Sequence, residues 1–548
     1  MPDYMFLLDS RLAPEQRTAL AQVQAAAHAH GTNIYLAGGA VRDLITGMPI
    51  RDLDFIVEGN PMRIAHDMEK HGARILESDE DTRHVELLFA GHVDGSISGA
   101  RDEIYDYPGT EPHIRWSTAV DEMKRRDFSI NAIAISLNPA SRGLLLDPTN
   151  GLADIEQNRE VRVLSIHSFT NRPVRLLRAV RYSVRLGFKL EPRTAEWFAL
   201  ALERGLLEKI PAEHAGREVR QVTREEKPIA VLQAWEKQGL ISAIHPQLAR
   251  RHPDYKGLTA LEKARELMMS AGMRIPSSES FAPYVRSILG RMKGGDQTRT
   301  INRLGFRKDE VHALHHLDAE ADKIVKVLKG PARKLLPTGK GAPKGKVAEA
   351  RATYNYLESV PRGLLAYILA EYSQPTAISK IRTYLTKWKP LRFGLPAGEL
   401  EAIGMARGPQ FDKVLEDLFN LQLVGRGRNL QDRTKLLRKL AGIKADVKKK
   451  EEKKEEKKEE KKGKGKAPVA QIVPGAGKGA PGKAAPAPAV AAPSGRVGAK
   501  PAASQPATKK TAVPPKKKAA PGKKPAAAKK AKSKPKSRPK PKKKARKR

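Results

Sequence analysis

The sequence predicts an α+β fold in which a mixed head is followed by a long helical body and a disordered tail. Residues 1–150 alternate between helical and strand-like segments, whereas the region from about 155 to 445 has helical periodicity almost throughout. The remainder is rich in Lys, Ala, Pro and Gly and cannot bury enough apolar surface to offset chain entropy. The predicted boundaries are 1–155 for the head, 156–225 for a neck, 226–446 for the helical body and 447–548 for the tail.

Capping and turn residues mark the elements of the head. A helix that begins at Pro14 is predicted to end at Gly31, and a second helix is opened by Asn60 and closed by Gly72. Strands are predicted for NIYLAG, RDLDFIVEG, HVELLFAG and HVDGSISG, of which the last two flank a glycine turn. Together these elements predict a mixed sheet with helices packed on it.

Charge is distributed unevenly along the chain. The 102 Lys and Arg residues against 61 Asp and Glu give a net charge of +41, of which residues 448–548 contribute +29. We predict that this Lys/Arg-rich tail binds RNA through phosphate contacts, with a solubilising appendage as the alternative and a possible helical continuation in its Glu/Lys block. The rest of the chain is basic as well, which also favours a polyanionic partner such as RNA.

Several classes of protein are excluded by composition. The absence of cysteine excludes a disulfide framework, a zinc ribbon and thiol catalysis. No apolar stretch approaches the roughly 20 residues of a membrane span, and the first residues lack the pattern of a signal peptide. We therefore expect a cytoplasmic protein without a membrane partner.

Paired aspartates define the first motif, GGAVRDLITGMPIRDLDF. Asp52 and Asp54 stand two residues apart in a predicted strand and so share a face, whereas Leu53 and Phe55 point to the core. Carboxylates this close repel each other unless a cation lies between them, and Mg²⁺ binds one or two carboxylates together with substrate phosphates. An exposed edge strand is the alternative interpretation of an isolated D-x-D pattern.

The glycine pair before the aspartates suits a phosphate. Gly38 and Gly39 would allow it to approach backbone N–H groups at the start of the next helix, and Arg42 could bind a phosphate oxygen. A strand, a Gly-Gly turn, a helix and a second strand with D-x-D together predict metal-dependent transfer of a nucleotidyl group.

Two further motifs predict nucleotide contacts. In KRRDFSINAIAI we expect Arg126 and Asp127 to bind the ribose and phosphates, with helix capping by Asp127 as the alternative. In PVRLLRAVRYSVRLGF, four arginines fall within about 120° of one another on a helical wheel, opposite an apolar side. An exposed stripe of arginine alone favours a triphosphate or an RNA backbone. The stripe consists of Arg175, Arg178, Arg181 and Arg185.

The three motifs resemble those of the class II tRNA nucleotidyltransferase and bacterial poly(A) polymerase family, within the polymerase-β-like nucleotidyltransferases. GGAVRD with DLD resembles its catalytic motif, RRDFSINA its ribose motif and PVRLLRAVRYSVRLGF its nucleotide-selecting neck helix. Weaker similarity in ARDEIYDYPGTEPH, LLDPTNGLADI and LRFGLPAGELEAIGMARG extends the resemblance over roughly 30–445.

The resemblance implies an enzyme that uses ATP and CTP to extend RNA 3′ ends, with tRNA as the foremost partner. It implies that Asp52 and Asp54 hold two Mg²⁺ ions, one activating the RNA 3′-hydroxyl and the other steadying the pyrophosphate. The implied nucleotide-binding residues are Gly38, Gly39, Arg42, Arg126, Asp127, Asn131, Asn171, Arg172, Arg175, Arg178 and Arg181.

The chain departs from the family pattern at two places. The Glu-Asp pair that normally precedes the neck proline is replaced by Asn171 and Arg172. Because arginine only donates, Arg172 cannot accept from the amino group of cytosine or adenine, so we expect weakened base selection. An acid expected in HVDGSISGAR is replaced by Ser96, which leaves Asp94 or Glu103 as candidates for a third carboxylate.

Three functions are compatible with these motifs. The first is tRNA CCA addition or repair, and the second is poly(A) polymerase activity within the same family. The third is an RNA-binding relative without template-directed activity, against which the intact DLD and RRD sequences argue.

Overall fold

The structure is a computed structural model that describes residues 3–107, 110–337 and 344–443. Within these residues the strands are β1 (Ile34–Ala37), β2 (Asp52–Val57), β3 (Arg74–Asp79), β4 (His84–Phe89), β5 (Val93–Gly99), β6 (Arg101–Ile104), β7 (His113–Trp116), β8 (Ala134–Ser136), β9 (Leu145–Leu146), β10 (Glu160–Val161) and β11 (Lys189–Leu190).

The helices of the head are α1 (Tyr4–Arg11), α2 (Pro14–Ala29), α3 (Gly39–Thr46), α4 (Pro61–Lys70), α5 (Ala119–Lys124) and the short α6 (Gly151–Ala153). Those that follow are α7 (Ser168–Asn171), α8 (Arg175–Leu186), α9 (Pro192–Glu203), α10 (Ala212–Thr223), α11 (Pro228–Lys237), α12 (Leu248–Arg251), α13 (Tyr255–Ser270), α14 (Ser277–Leu289), α15 (Gly294–Arg303), α16 (Lys308–Lys329), α17 (Lys346–Ser359), α18 (Arg362–Glu371), α19 (Pro375–Thr383), α20 (Lys389–Phe393), α21 (Ala397–Ala402), α22 (Pro409–Leu423) and α23 (Leu430–Leu440).

A seven-stranded sheet in the order β3-β4-β5-β2-β1-β8-β9 forms the head, as the sequence predicts for a mixed architecture. β2 and β5 are parallel, and the other neighbouring strands are antiparallel. β2 therefore lies inside the sheet between β5 and β1, and the edge-strand alternative for the D-x-D pattern is wrong. The predicted strands are confirmed, although β1 and β2 end one or two residues earlier than expected.

Local sequence explains where the key helices begin and end. The side chain of Asn60 accepts a hydrogen bond from the backbone N–H of Met62 at 2.9 Å, which caps α4 as predicted. α8 ends at Gly187, whose φ of 67° is in the left-handed region. Its apolar side is buried against α11, where the Trp235 indole donates to the carbonyl of Leu177 at 3.0 Å.

The main core runs from the head sheet into the helices after it, so the sheet and the neck are packed as one body. Leu53 and Phe55 of β2 are buried in this core, and so are Leu176 and Leu177 of α8. A smaller core joins α21, α22 and α23 through residues such as Phe411. The mostly helical character predicted for the region after residue 155 is confirmed, whereas the domain boundaries themselves remain predictions.

The described part of the chain contains no helix long and apolar enough to cross a membrane. The predicted disordered tail at 447–548, with the helical extension expected of its Glu/Lys block, lies outside the described residues.

Candidate active site

The two aspartates lie on one face of β2, as predicted, because Leu53 and Phe55 between and after them are buried on the other. The parallel register with β5 places Asp94 beside Asp52 and Ser96 beside Asp54. The Ser96 hydroxyl donates to Asp54 at 2.7 Å, which orients that carboxylate. A third carboxylate, Asp94, thus joins the pair from the neighbouring strand.

The opposite side of this cluster is closed by residues from two helical elements. The Arg224 guanidinium, just after α10, contacts Asp52 and donates to Asp94 at 3.1 Å. The hydroxyl of Ser277, the first residue of α14, donates to the same Asp94 oxygen at 2.7 Å. Of the two candidates for a third acid, Asp94 therefore lies at the aspartate pair, whereas Glu103 contacts a different set of side chains.

The chemistry of the donor set fits a hard divalent cation. Burial and the neighbouring Asp52 raise the pKa of Asp54 above its ordinary value, which indicates a site that gains from positive charge. Among the described residues no group of three or more His, Cys, Asp or Glu side chains is already arranged around one point. Mg²⁺ in phosphate-transfer sites takes one or two protein carboxylates and completes its shell with phosphates and water, so Asp52 and Asp54 are a sufficient protein contribution.

The turn above the aspartates requires glycine. Gly38 has a φ of 68°, and a Cβ there would lie 2.5 Å from the Arg126 guanidinium. A Cβ on Gly39 would lie 3.8 Å from the Asp54 carboxylate, so the first turn of α3 is close to the acids. Backbone N–H groups at this helix start are therefore presented next to the aspartate pair.

Arg42 is held inside the protein by other residues of these motifs. It is buried and donates to Asp43 at 2.8 Å and to the side-chain oxygen of Asn131 at 2.6 Å. The second motif is tied to α8 in the same way, since Asp127 accepts from Arg178 at 2.6 Å. These contacts join the glycine turn, the RRDFSINA segment and the neck into one network.

Asp127 does not cap a helix. Its carboxylate accepts from the backbone N–H of Phe128 at 2.9 Å and from the Asn131 amide at 3.1 Å. The 3₁₀ turn that follows, Ser129–Asn131, has Phe128 as its N-cap residue and no side-chain cap. Burial alone would raise the pKa of Asp127, but Arg178 and Arg175 bring it well below the ordinary value. The ionised Asp127 carboxylate therefore anchors this network through Arg178 and Asn131.

The prediction of an exposed arginine stripe is wrong for the C-terminal half of α8. Arg181 is only 3% exposed and bonds to Glu218 and Glu225, each at 2.9 Å. Arg185 bonds to Glu225 at 2.8 Å and to Asp43 at 2.7 Å. The helical wheel correctly placed the four arginines on one side of α8. That side, however, faces buried carboxylates from α10 and the segment after it.

A cavity of about 650 Å³ brings most of the predicted nucleotide-binding residues together with the aspartate pair. It is within the size range of small-molecule sites. The cavity is lined by Gly39, Arg42, Asp52, Asp54, Arg126, Asp127, Asn131, Arg172, Arg175, Arg178 and Arg181. The sequence reasoning missed Glu218, which also lines the cavity. Its signal in the sequence is the spacing of Glu218 and Glu225, seven residues apart in EVRQVTREE, although only Glu218 lines the cavity. Gly38 and Asn171 do not line it.

The paired aspartates thus lie on a central strand, close to a glycine turn and beside an arginine-lined cavity. Residues 34–162 match the family described as Poly A polymerase head domain. The match runs from β1 to just after β10 and so contains both aspartates and the RRDFSINA segment. It ends before Asn171 and the arginines of α8.

Curated relatives extend this similarity beyond the head. An A-adding tRNA nucleotidyltransferase of Geobacter sulfurreducens is 24% identical over 410 residues, 74% of this chain and 45% of its own length. That of Aquifex aeolicus is 35% identical over 212 residues, 38% of this chain and 25% of its own. A CCA-adding enzyme of Lactiplantibacillus plantarum is 30% identical over 261 residues, 46% of this chain and 58% of its own.

The chain thus spans between a quarter and somewhat more than half of the length of these relatives. The match to the head domain and the similarity to these relatives agree with the sequence motifs on which the resemblance rests. Residues 34–162 thus match a Poly A polymerase head domain, and longer parts of the chain are similar to A-adding and CCA-adding enzymes.

Proposed function

We propose that this protein is a template-independent RNA nucleotidyltransferase that completes tRNA 3′ ends with CTP and ATP in the cytoplasm. The observation that carries the proposal is the face of β2, where Asp52 and Asp54 border a cavity lined by six arginines of the nucleotide motifs. The arginines suit the phosphate oxygens of a triphosphate, and the carboxylates Asp52 and Asp54 in the same lining suit a cation bound with it. The names of the relatives, A-adding and CCA-adding, support nucleotide addition to tRNA.

In this function the chain's own residues bind and orient the reactants. The N–H groups at the start of α3 and the accessible cavity arginines hold the phosphates, whereas the buried Arg42 and Arg181 are bonded to protein side chains. Ser96 keeps the Asp54 carboxylate in one orientation. When bound by Asp52 and Asp54, Mg²⁺ supplies the charge that lowers the pKa of the RNA 3′-hydroxyl and neutralises pyrophosphate. Most of the acceleration then comes from positioning and charge neutralisation rather than from a covalent step.

The experiment uses three transcripts of one tRNA, ending at the discriminator base, after one C and after two C. Each is incubated with the full-length protein, Mg²⁺, and CTP, ATP or both, and the added nucleotides are counted on a sequencing gel. We expect C, C and A to be added in order to the shortest transcript, and a single A to be added to the transcript ending in CC.

Other outcomes would replace the proposal with a narrower one or overturn it. Addition of A to the CC end alone would define an A-adding enzyme, as two of the relatives are named. Long A tails on any RNA would define a poly(A) polymerase. No addition to any transcript, with tRNA binding intact, would identify a binding protein and overturn the proposal. An Asp54→Asn variant is the control for contaminating transferases.

A further inference from the structure

A second, smaller cavity adjoins the aspartate pair on the side of the helical body. Its volume is about 270 Å³, and it is lined by residues of the sheet together with residues of α10, α14 and α16. The larger cavity, which contains the nucleotide motifs, meets it at the face of the sheet that carries the aspartates. A transfer between ligands of the two cavities would take place at the residues that they share. The residues that line both cavities are Asp52, Asp54, His84, Glu86, Ser96 and Gln221.

The register of the sheet places His84 on the same face as the aspartates. Asp54 of β2 is opposite Ser96 of β5, and His84 of β4 is opposite Ser98, two positions further along β5. Residues two apart in a strand share a face, and so do residues directly opposite each other on neighbouring strands. The imidazole is therefore presented on the face where Asp54 lies, from the second strand away.

The two ring nitrogens of His84 have different surroundings. Nδ1 lies 2.8 Å from the hydroxyl of Ser98. In the tautomer with the proton on Nδ1, the ring donates to Ser98 and Nε2 is a proton acceptor. Within the described part of the chain no hydrogen bond joins Nε2 to another residue, and the side chain is only half-buried. Nε2 is therefore open to a ligand at the junction of the cavities.

The other side chains at this junction have different partners or do not titrate near neutral pH. The Glu86 carboxylate is paired with the guanidinium of Arg307. Asp52 and Asp54 are the residues suited to a cation, as described above. The remaining two, a serine and a glutamine, do not accept protons near neutral pH. His84 is thus the residue at the junction that is suited to accept a proton.

The surroundings of His84 keep its imidazole uncharged at neutral pH. Burial lowers the pKa of His84 below its ordinary value of 6.5. Two arginines add to this shift and two acids oppose it. The arginines are Arg101 and Arg217, and the acids are Glu86 and Asp54. On β3 the residue opposite His84 is Asp79, whose carboxylate accepts from the backbone N–H of Thr82 at 2.9 Å. A neutral imidazole has the lone pair that a general base requires.

We propose that His84 accepts the proton of the RNA 3′-hydroxyl during nucleotide transfer. This inference rests on the proposed function, with the RNA end in the smaller cavity and the nucleotide in the larger one. The 3′-hydroxyl gives its proton to Nε2 and its oxygen forms a bond to the α-phosphorus, while the bond from that phosphorus to the bridging oxygen breaks and pyrophosphate leaves. The imidazolium then releases the proton to solvent. Ser98 is a positioning residue that orients the ring.

The test measures the single-turnover rate of A addition to a tRNA transcript ending in CC, at saturating ATP and Mg²⁺, between about pH 5 and pH 8. The proteins are the full-length chain, His84→Gln, His84→Ala and Ser98→Ala. His245→Gln is the matched control, because His245 is also half-buried, has a pKa lowered by burial and lines neither cavity.

The rate of the unaltered protein should rise with pH below about 6.5 and level off above it, because only the neutral imidazole accepts a proton. His84→Gln should lower the rate at neutral pH by about a hundredfold or more, the usual size of general base catalysis, and should lose the rise at low pH. Imidazole added to His84→Ala should restore part of the rate in proportion to its neutral form. Ser98→Ala should slow the reaction less and keep the rise, and His245→Gln should behave as the unaltered protein.

An unchanged rate in His84→Gln would overturn the inference, and so would a low-pH rise that persists in this variant, because another group would then take the proton. A loss of rate that follows weaker binding of the tRNA transcript, measured for each variant, would also overturn it. If His84→Ala does not fold, the pH profile of His84→Gln still decides the matter. Failure of the proposed function is distinguishable, since the unaltered protein would then add no nucleotide at any pH.

Discussion

The two ends of the neck helix use the same residue type for different purposes. At its start, Arg175 lines the cavity and donates to the backbone carbonyl of Ser168 at 3.3 Å. Toward its end, Arg181 and Arg185 are enclosed by Glu218, Glu225 and Asp43. The helix therefore has a ligand-facing end and a clamped end, with Arg178 bonded to both Asp127 and Glu218 between them.

The difference shows that the function of an arginine here depends on the acids opposite it. The clamped end is fixed by carboxylates that α10 and the residues after it supply, which holds the helix against the head through Asp43. At the ligand-facing end, Arg175 bonds to a backbone carbonyl rather than being enclosed by several carboxylates, so its other donors remain available to a substrate. The comparison predicts that mutations at the clamped end reduce stability and those at the other end reduce activity.

The largest effect is expected from Arg181→Met at the clamped end. Removing one partner of a buried charge network leaves carboxylates incompletely paired and costs about 3 to 5 kcal/mol in the free energy of unfolding. Urea unfolding followed by circular dichroism measures it. The exposed Arg193, changed to Met, is the control and should alter stability by less than about 0.5 kcal/mol. Equal effects in the two variants would remove the distinction between the two ends.

The second-largest effect is expected from lowering the pH, which should weaken the ion pairs at the clamped end. Burial alone would raise the pKa of Glu225, but Arg51, Arg181 and Arg185 lower it from 4.5 to about 2. A depressed folded-state pKa contributes stability that is complete above about pH 4.5 and is lost as the pH falls toward 2. The contribution is roughly 3 kcal/mol.

The measurement is the free energy of unfolding between pH 7 and pH 2 for the unaltered chain and for Glu225→Gln. The variant lacks the titrating group, so its stability should fall less steeply below pH 4.5. If the free energies of unfolding of the two proteins fell in parallel with pH, the pKa of Glu225 would not be depressed in the folded state.

A smaller effect, and one on activity, is expected from Arg175→Ala at the ligand-facing end. Hydrogen bonds to a charged group contribute about 1.5 to 3 kcal/mol, so kcat/KM for the NTP should fall about ten- to a hundredfold. The free energy of unfolding should change by less than about 1 kcal/mol. A variant that loses stability as Arg181→Met does, with unchanged kinetics on the remaining folded protein, would place Arg175 with the clamp.

The smallest effect concerns Arg224, which follows α10 on the clamped side but contacts Asp52 and Asp94. Replacement by Gln removes a positive charge that competes with a cation for these carboxylates. An ion pair of this exposure contributes about 1 kcal/mol, so Mn²⁺ should bind about fivefold tighter, as measured by electron paramagnetic resonance of free Mn²⁺. Arg220→Gln is the control, because Arg220 pairs with Glu310 instead, at 2.7 Å. Equal or weaker Mn²⁺ binding in the Arg224 variant would contradict the competition.

Local patterns were sufficient for the aspartates and the glycine turn, because both depend on residues close in sequence. Asp94 could not be selected over Glu103 in this way, since the choice depends on the register between β2 and β5. The prediction that the arginine stripe is exposed failed for a similar reason. A helical wheel shows which side of α8 the arginines share, but it does not show the acids, 37 to 44 residues later in the chain, that cover this side. The pairing of Arg172 with Glu103 likewise joins distant segments and has no local signal.

The central claim is that nucleotide transfer takes place at the aspartate pair of β2. Its most direct test is Asp52→Ala, assayed in parallel for nucleotide addition to a tRNA ending in CC and for binding of the same tRNA, with the exposed Asp81→Ala as the control. The account predicts that Asp52→Ala abolishes addition in Mg²⁺ while tRNA affinity survives, and that Asp81→Ala changes neither. Near-normal turnover in Asp52→Ala would contradict the account.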